Sequence, residues 1–378
     1  MSKKNLTPEM QAEAPAKKKK KGSGWFGRLV RRFFLLLFTI IFLAAGALIL
    51  LMNLVFNGPS IAMQERLTMS LIEASATKWV PALFIGEERV AEIRTPVDNA
   101  ELSQDVSTSN KVVIEKNNAL TATSDEWANY PDGIRIERYA GDTYNAHIMI
   151  VRDPSTVYMG TSTEKYSTAI PGKRITEMMD ANPDAIAAVN AGAFFDDGTT
   201  STAVGSYPLG LTVSKGETVW SQAQGIGPGL EGFAGFNSDN ELVVVDRNLT
   251  AEEAEALDIR DGVGMGPALI IDREVQTKAE ETNTGYNPRT AIGQREDGTV
   301  ILMCINGRQA DSLGATYADV INEMMSYGAD SACLMQGGSA SAMMYRPNNT
   351  QEPQLLNALP VGQNQPRRLP TYWMVSAE

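Results

Sequence analysis

Residues 300–339 read VILMCINGRQADSLGATYADVINEMMSYGADSACLMQGGS, and the order of textures in this stretch sets the fold class. Val300 to Ile305 is an unbroken apolar run closed by Asn306-Gly307-Arg308, the composition of a buried strand that ends in a turn. Tyr317 to Tyr327 then spaces Val320, Ile321, Met324 and Met325 along one apolar helical face. A second short apolar run, Ala332 to Met335, ends in Gln336-Gly337-Gly338-Ser339. Strand, helix, strand in that order predicts a right-handed βαβ unit with parallel strands. Such units bind ligands beyond the carboxyl ends of their strands, which makes the two turns the first candidate site.

Upstream the same texture repeats. Short β-rich runs at 134–138, 146–151, 187–190, 209–213, 232–236, 242–245, 268–271 and 290–293 are separated by Gly, Asn, Asp and Pro. A further helix is expected at 175–182. Residues 129–378 are therefore expected to form an α+β domain, an α/β-like mixed sheet flanked by helices.

Toward the N-terminus the chain changes character. Residues 33–56, FFLLLFTIIFLAAGALILLMNLVF, run without a charge and as a helix would span roughly 36 Å. That exceeds the roughly 30 Å hydrocarbon core of a bilayer, so a single transmembrane helix is expected rather than a cleaved leader, whose apolar run is shorter. Residues 1–32 carry ten Lys/Arg against two Glu, and this basic flank places the tail in the cytoplasm and everything after it outside. The expected location is the cell membrane, single-pass, with the C-terminal domain extracytoplasmic. Residues 57–128 read as a stem: Met63, Leu67 and Leu71 lie four apart in a helical pattern, and a polar linker follows at 96–118.

Charge and rare residues exclude much chemistry. The chain of 378 residues has a net charge of −12, and removing the tail's surplus of eight positive charges leaves −20 on the rest, which argues against nucleic acid as a partner. One histidine, His147, rules out multi-His zinc sites and two-histidine mechanisms, and two cysteines rule out four-cysteine metal sites. No loop has calcium-ligand spacing, so neither metal nor cofactor is expected. His147 lies in an apolar run and reads as a core histidine. Cys304 and Cys333 sit in the two strands of the βαβ unit, either as a disulfide or as two buried thiols.

Four polar or Gly-rich turns border β runs: 190–198 (NAGAFFDDG), 287–293 (NPRTAIG), 306–308 (NGR) and 336–341 (QGGSAS). Glycine allows close backbone approach to a ligand, exposed N–H groups bind anions, and Arg289, Arg308 and Arg368 supply forks that match phosphate. In this order the segments resemble the phosphodiester glycosidase family, with its bacterial exopolysaccharide-related branch, over roughly Gly141 to Val375. Asn190 to Phe195 resembles the family's N-G-G-F-type turn, Asn287 to Gly293 its PRTAIG segment, and Gly314 to Asp319 its G-x-T-x-x-E segment. Gln336 to Ser341 resembles its D-G-G-G-S-S turn and Arg367-Arg368-Leu369-Pro370 its closing R-x-v-P. Two family aspartates are Asn306 and Gln336 here, and the helix glutamate is Asp319.

The resemblance implies hydrolysis of a sugar-1-phosphodiester in envelope polysaccharide or glycoconjugate. It implies catalytic roles for Asp196, Asp319, Arg289 and Arg308, with Asp197 as a further carboxylate. Substrate contacts are implied for Asn190, Gly192, Phe195, Thr290, Asn306, Gly307, Gln336, Gly337, Gly338, Ser339 and Arg368. The altered acids leave a second reading open, a catalytically silent glycan-binding or assembly factor.

Overall fold

The computed structural model describes residues 25–74, 77–94, 127–167, 170–195, 204–221, 232–276, 284–347 and 352–377. Helix α1, Trp25–Phe56, carries a 30-residue segment, Gly27–Phe56, whose most apolar 18-residue window has a mean hydropathy of 2.9 and no buried share, long and apolar enough to cross a membrane. The tail before residue 25 and the linker expected at 96–118 lie outside the described residues. Phe56–Glu378 form one compact unit. It begins with α2 (Ile61–Ile72), whose N-cap Ser60 accepts a hydrogen bond from Met63 N, and α3 (Val80–Arg94), which is broken at Gly86.

Three antiparallel sheets follow among the described residues. In chain order the strands are β1 (Ile134–Ala140), β2 (Asn145–Val151), β3 (Val157–Thr161), β4 (Ala185–Asn190), β5 (Leu211–Ser214), β6 (Glu217–Ser221), β7 (Phe233–Asn237), β8 (Leu242–Val245) and β9 (Ile259–Gly264). Then come β10 (Ala268–Ile271), β11 (Glu274–Val275), β12 (Arg289–Gln294), β13 (Val300–Ile305), β14 (Ser331–Met335), β15 (Met343–Tyr345), β16 (Gln354–Leu355) and β17 (Thr371–Ser376). Among the described residues three short α-helices join them: α4 (Ile175–Ala181), α5 (Ala251–Ala256) and α6 (Tyr317–Ser326). The sheets run β1-β2-β13-β12-β14-β10-β11, β16-β15-β4-β17-β3 and β6-β5-β9-β7-β8.

Side-chain alternation explains the layering. On β13, Val300, Leu302 and Cys304 point into one cluster while Ile301, Met303 and Ile305 point into another. The second cluster lies under α6, where Val320, Ile321 and Met324 cover the seven-stranded sheet. The first is shared with the inner faces of the other two sheets, through Val189 and Trp373 of one and Phe236 and Val263 of the other. Their outer faces are covered by α4 and α5. A mixed assembly of helix and sheet is thus the fold class, as the sequence predicts.

The βαβ expectation needs one correction. β13 and β14 are parallel to one another, yet they are not neighbours, because antiparallel β12 pairs with both. Cys304 faces Thr290 and Cys333 faces Ile292 across that intervening strand, so the thiols stay free and buried, with burial pushing each up to about 12. His147 is buried, and burial followed by the charge of Arg138 lowers its pKa, which keeps it a neutral core residue.

Helix α6 itself carries a buried acid. Glu323 is 7 % exposed and accepts a 2.7 Å bond from Tyr144 Oη; burial raises its pKa, against the opposing hydrogen bonds of Tyr144 and Tyr139. The folded state therefore holds this proton more tightly than the unfolded chain. Its contribution is fully present below the ordinary glutamate value and is lost as pH rises through the folded value. Glu323→Gln keeps an acceptor for Tyr144 and removes the charge, so it should stabilise the protein at pH 7.5 relative to wild type by about 1 kcal/mol and by less at pH 4.5. Thermal melts of both proteins at the two pH values check this; an equal shift at both contradicts it.

Candidate functional site

Inserting β12 between two parallel strands has a direct consequence for the turns. Arg289, at the start of β12, is level with Ile305 at the end of β13, and Thr290 is level with Met335 at the end of β14. The segments around Pro288, Gly307 and Gly337 therefore meet at one edge of the sheet. Gly338 N donates to Pro288 O at 2.8 Å, and both Gly307 and Gly337 pack against Pro288. The end of β4 joins them through Gln336 N, which donates to Ala191 O at 2.9 Å. All four turn segments singled out in the sequence converge here.

Beneath the turns lies a buried brace. Asn190 is fully buried; its Nδ2 donates to Gln336 O at 2.6 Å and its Oδ1 accepts from Thr290 Oγ1 at 2.9 Å and Ala342 N at 3.0 Å. Thr290 Oγ1 also meets Ser341 Oγ at 3.2 Å. Asn306 Oδ1 accepts from Ala358 N at 3.1 Å. Gly192 packs against Val263. These residues, expected to touch substrate, instead hold the turns in place, because every one of them is buried against neighbouring chain.

Open space begins in front of the brace. A cleft of about 1580 Å³ is lined by Gln336, Gly337, Gly338 and Ser339, by Arg308, and by residues 360–368. Arg308 is a lining residue whose orientation is tightly fixed. Nε and Nη2 donate to Asn287 Oδ1 at 3.0 and 2.8 Å, which fixes the plane of the guanidinium and leaves Nη1 for a ligand. Burial lowers its pKa, the charge of Glu73 opposes this and that of Arg289 adds to it, but a guanidinium stays charged. Its backbone has φ +56°, a conformation that costs a non-glycine residue on the order of 1 kcal/mol and is often kept at ligand sites. Gly338, φ +67°, stands opposite: a Cβ there would lie 3.5 Å from Arg308 Nη2 and crowd the space in front of it.

The other expected residues sort by position. Arg289 is 5 % exposed and does not line the cleft; Nε donates to Ala315 O, Nη2 to Gly285 O and to Glu73 Oε2, and the guanidinium lies 4.7 Å from the Tyr317 ring. Asp319 is not in the cleft either. Its Oδ2 accepts from Thr316 N and Thr316 Oγ1, both at 2.8 Å, closing a capping box at the start of α6. Arg368 borders the cleft but is paired with Glu177 at 2.7 and 2.8 Å. Phe195 stacks on Tyr207 with ring centres 4.9 Å apart, while its neighbour Phe194 lines the cleft. Asp196 and Asp197 lie outside the described residues.

Two groups of cleft residues lie outside the expected site residues. Arg174 and Arg367 add positive charge to the wall, with Arg367 Nη1 on Ser339 Oγ at 3.1 Å and its guanidinium 5.1 Å from the Phe194 ring. The larger surprise is the stem. It does not stand apart from the domain: Met63, Arg66, Leu67, Ser70, Leu71 and Glu73 form one wall of the cleft. The stripe of Met63, Leu67 and Leu71 was the legible sign, since an apolar face on a helix needs something to face. Five arginines and one carboxylate, Glu73, line the cleft among the described residues, on a protein whose surroundings are acidic. Such a site is built for an anion.

The phosphodiester glycosidase family profile matches residues 183–376, just over half of the chain. The SPbeta prophage-derived uncharacterized protein YomE of Bacillus subtilis (strain 168) is 25% identical over 193 residues, half of this chain and 27% of that protein. The chain thus spans about a quarter of the length of that relative. The catalytic domain of zebrafish N-acetylglucosamine-1-phosphodiester alpha-N-acetylglucosaminidase, described as auto-inhibited by its pro-peptide, matches in fold with a TM-score of 0.50 at 18% identity, over 66% of this chain and 85% of that one. A hypothetical protein from Synechocystis matches with a TM-score of 0.43 at 15% identity, over 65% and 61% of the two chains.

Proposed function

The chain belongs to the phosphodiester glycosidase family, and from that premise we propose that it hydrolyses a sugar-1-phosphodiester at the cleft around Arg308. The observation that carries the reading is Arg308 itself, lining the cleft and held flat by Asn287, with Nη1 carrying no hydrogen bond among the described residues and Gly338 opposite. Phosphate would sit against that edge and the backbone of Gly337 and Gly338, with the Gln336 amide beside the sugar. The C1–O bond breaks with its electron pair moving to the phosphate oxygen, and Arg308 stabilises the charge that gathers there. Water forms the new bond to C1. Its proton passes to the departing phosphate monoester, whose second ionisation falls near 6, so the phosphate serves as the proton acceptor.

This chemistry explains how Asn306 and Gln336 fit a working site. Asn306 Oδ1 receives Ala358 N, a duty an aspartate at the same position would also perform. The cleft volume of about 1580 Å³ exceeds the ~300–1000 Å³ of ordinary small-molecule sites, which favours a polymer or glycoconjugate. Helix α1 supports anchoring in a membrane, and the basic flank before it supports a cytoplasmic N-terminus with the cleft outside. Envelope polysaccharide is then the substrate within reach.

The test is a panel of α- and β-linked methyl-phosphoryl sugars offered to the full chain in detergent, with reducing sugar and phosphate monoester measured as products. Turnover on at least one member is the expected result. Tight binding without turnover on any member would replace the enzyme by a glycan-binding assembly factor.

A further inference from the structure

We infer that Glu73, carried by the membrane-proximal stem helix, is the positioning carboxylate of the cleft, so that the stem is a working part of the site and not a spacer. The inference rests on the hydrolase reading above and deepens it. Glu73 sits at the C-cap of α2, and its carboxylate reaches 212 to 216 residues along the chain. Oε1 accepts from Gly285 N at 3.1 Å; Oε2 accepts from Asn287 Nδ2 at 2.6 Å and from Arg289 Nη2 at 3.0 Å. The other end of the Asn287 amide, Oδ1, is the acceptor that fixes Arg308. One carboxylate thus orients Asn287, and Asn287 orients the guanidinium that faces the cleft.

The seat for this contact is built on both sides. Ser70 Oγ accepts from Tyr286 N at 2.8 Å, so the last turn of α2 satisfies two consecutive backbone N–H groups of the 285–286 segment. Gly285 allows the approach: a Cβ there would lie 2.1 Å from Ser70 N. Arg66 of the same helix donates to Tyr286 Oη at 2.5 Å and lies 5.6 Å from its ring. With α2 docked in this way the cleft has a volume of about 1580 Å³, and Arg308, Gln336 and Gly338 line it beside Leu67 and Ser70. The helix is a wall of the cleft, not a plug in it.

Positioning and plugging give opposite results. In the detergent-solubilised full chain, Glu73→Ala should lower kcat about 100-fold, the scale of a misplaced reacting group, with KM changed less than about threefold. Glu73→Asp should recover at least about a tenth of wild-type kcat, and Glu73→Gln, which can still accept from Gly285 N, should fall between. A merely structural role would not split kcat from KM or be rescued by the shorter acid. Circular dichroism melts identify any variant that fails to fold, and calorimetric binding of glucose 1-phosphate supplies a second readout, expected to change less than about threefold in Glu73→Ala, in step with KM. Wild-type turnover that is unchanged or raised in a folded Glu73→Ala overturns the inference and leaves the hydrolase standing. A wild-type chain that neither binds nor hydrolyses any probe overturns the hydrolase reading and this inference with it.

Discussion

Arg308→Ala should lower kcat/KM on a sugar-1-phosphodiester by about 1000-fold, or about 4 kcal/mol, while leaving the fold intact. The size follows from what the side chain does: a positioned cation at the atom where negative charge develops is worth this much when water is excluded, and Arg308 is half-buried with its plane fixed by Asn287. The small stability effect follows from what it does not do. Within the protein the side chain is bonded to Asn287 alone among the described residues, and replacing it relieves the burial of a charge. Arg308→Lys should recover only part of the loss, because an ammonium offers no second donor in the plane and cannot straddle Asn287 and a phosphate. Steady-state kinetics of both variants, with melting temperatures beside them, check this. Loss of activity that merely tracks loss of folding would contradict it.

Trp373→Ala should cost about 3–5 kcal/mol of stability, lowering the melting temperature by roughly 10 °C. Trp373 lies on β17 of one five-stranded sheet and is fully buried. Its ring meets Phe236 of the other five-stranded sheet edge-on at 5.6 Å, and its Nε1 lies 3.3 Å from Met335 Sδ of the seven-stranded sheet. One side chain therefore fills the space where the three sheets meet, and no single sheet can move in to refill it. Met335 ends the strand that carries Gln336 and the glycines, so the void opens directly behind the candidate site. Thermal unfolding of the variant measures the effect; a shift under about 3 °C would mean that the sheets do collapse around the gap.

The site was more legible in the sequence than the packing around it, and particular residues show why. Turns at strand ends announce themselves by composition, which is how Asn287-Pro288-Arg289, Asn306-Gly307-Arg308 and Gln336-Gly337-Gly338 stand out by residue type alone. Their convergence was not legible. A helical connection tells that β13 and β14 are parallel, but nothing local reveals that β12 lies between them. Asp319 illustrates a different failure. Thr316-x-x-Asp319 ahead of an apolar helix face is a capping-box pattern, and its carboxylate is spent on Thr316, so the helix start explains it without chemistry.

Burial decides the rest. Asn190 and Thr290 have the residue types of ligand contacts, and only tertiary structure shows that their partners are Gln336, Ser341 and Ala342. Strands such as Ile259–Gly264, with Asp261 and two glycines, and Met343–Tyr345, with three residues, lack the length or β-branched content that marks a strand locally. Thr371–Ser376 has strand composition but is not among the expected strands, and it supplies the middle pairing between β3 and β4. Glu73 depends on contacts more than two hundred residues away, which no local pattern encodes.

The most direct measurement is where water's oxygen ends up. Hydrolysis of a turned-over sugar-1-phosphodiester by the full chain in heavy-oxygen water, followed by mass spectrometry of both products, reports which bond breaks. Attack at C1 with Arg308 receiving the departing phosphate places the label in the sugar and none in the phosphate monoester. Label in the phosphate would mean that the P–O bond breaks, and the cleft would then be that of a phosphodiesterase and not of a glycosidase.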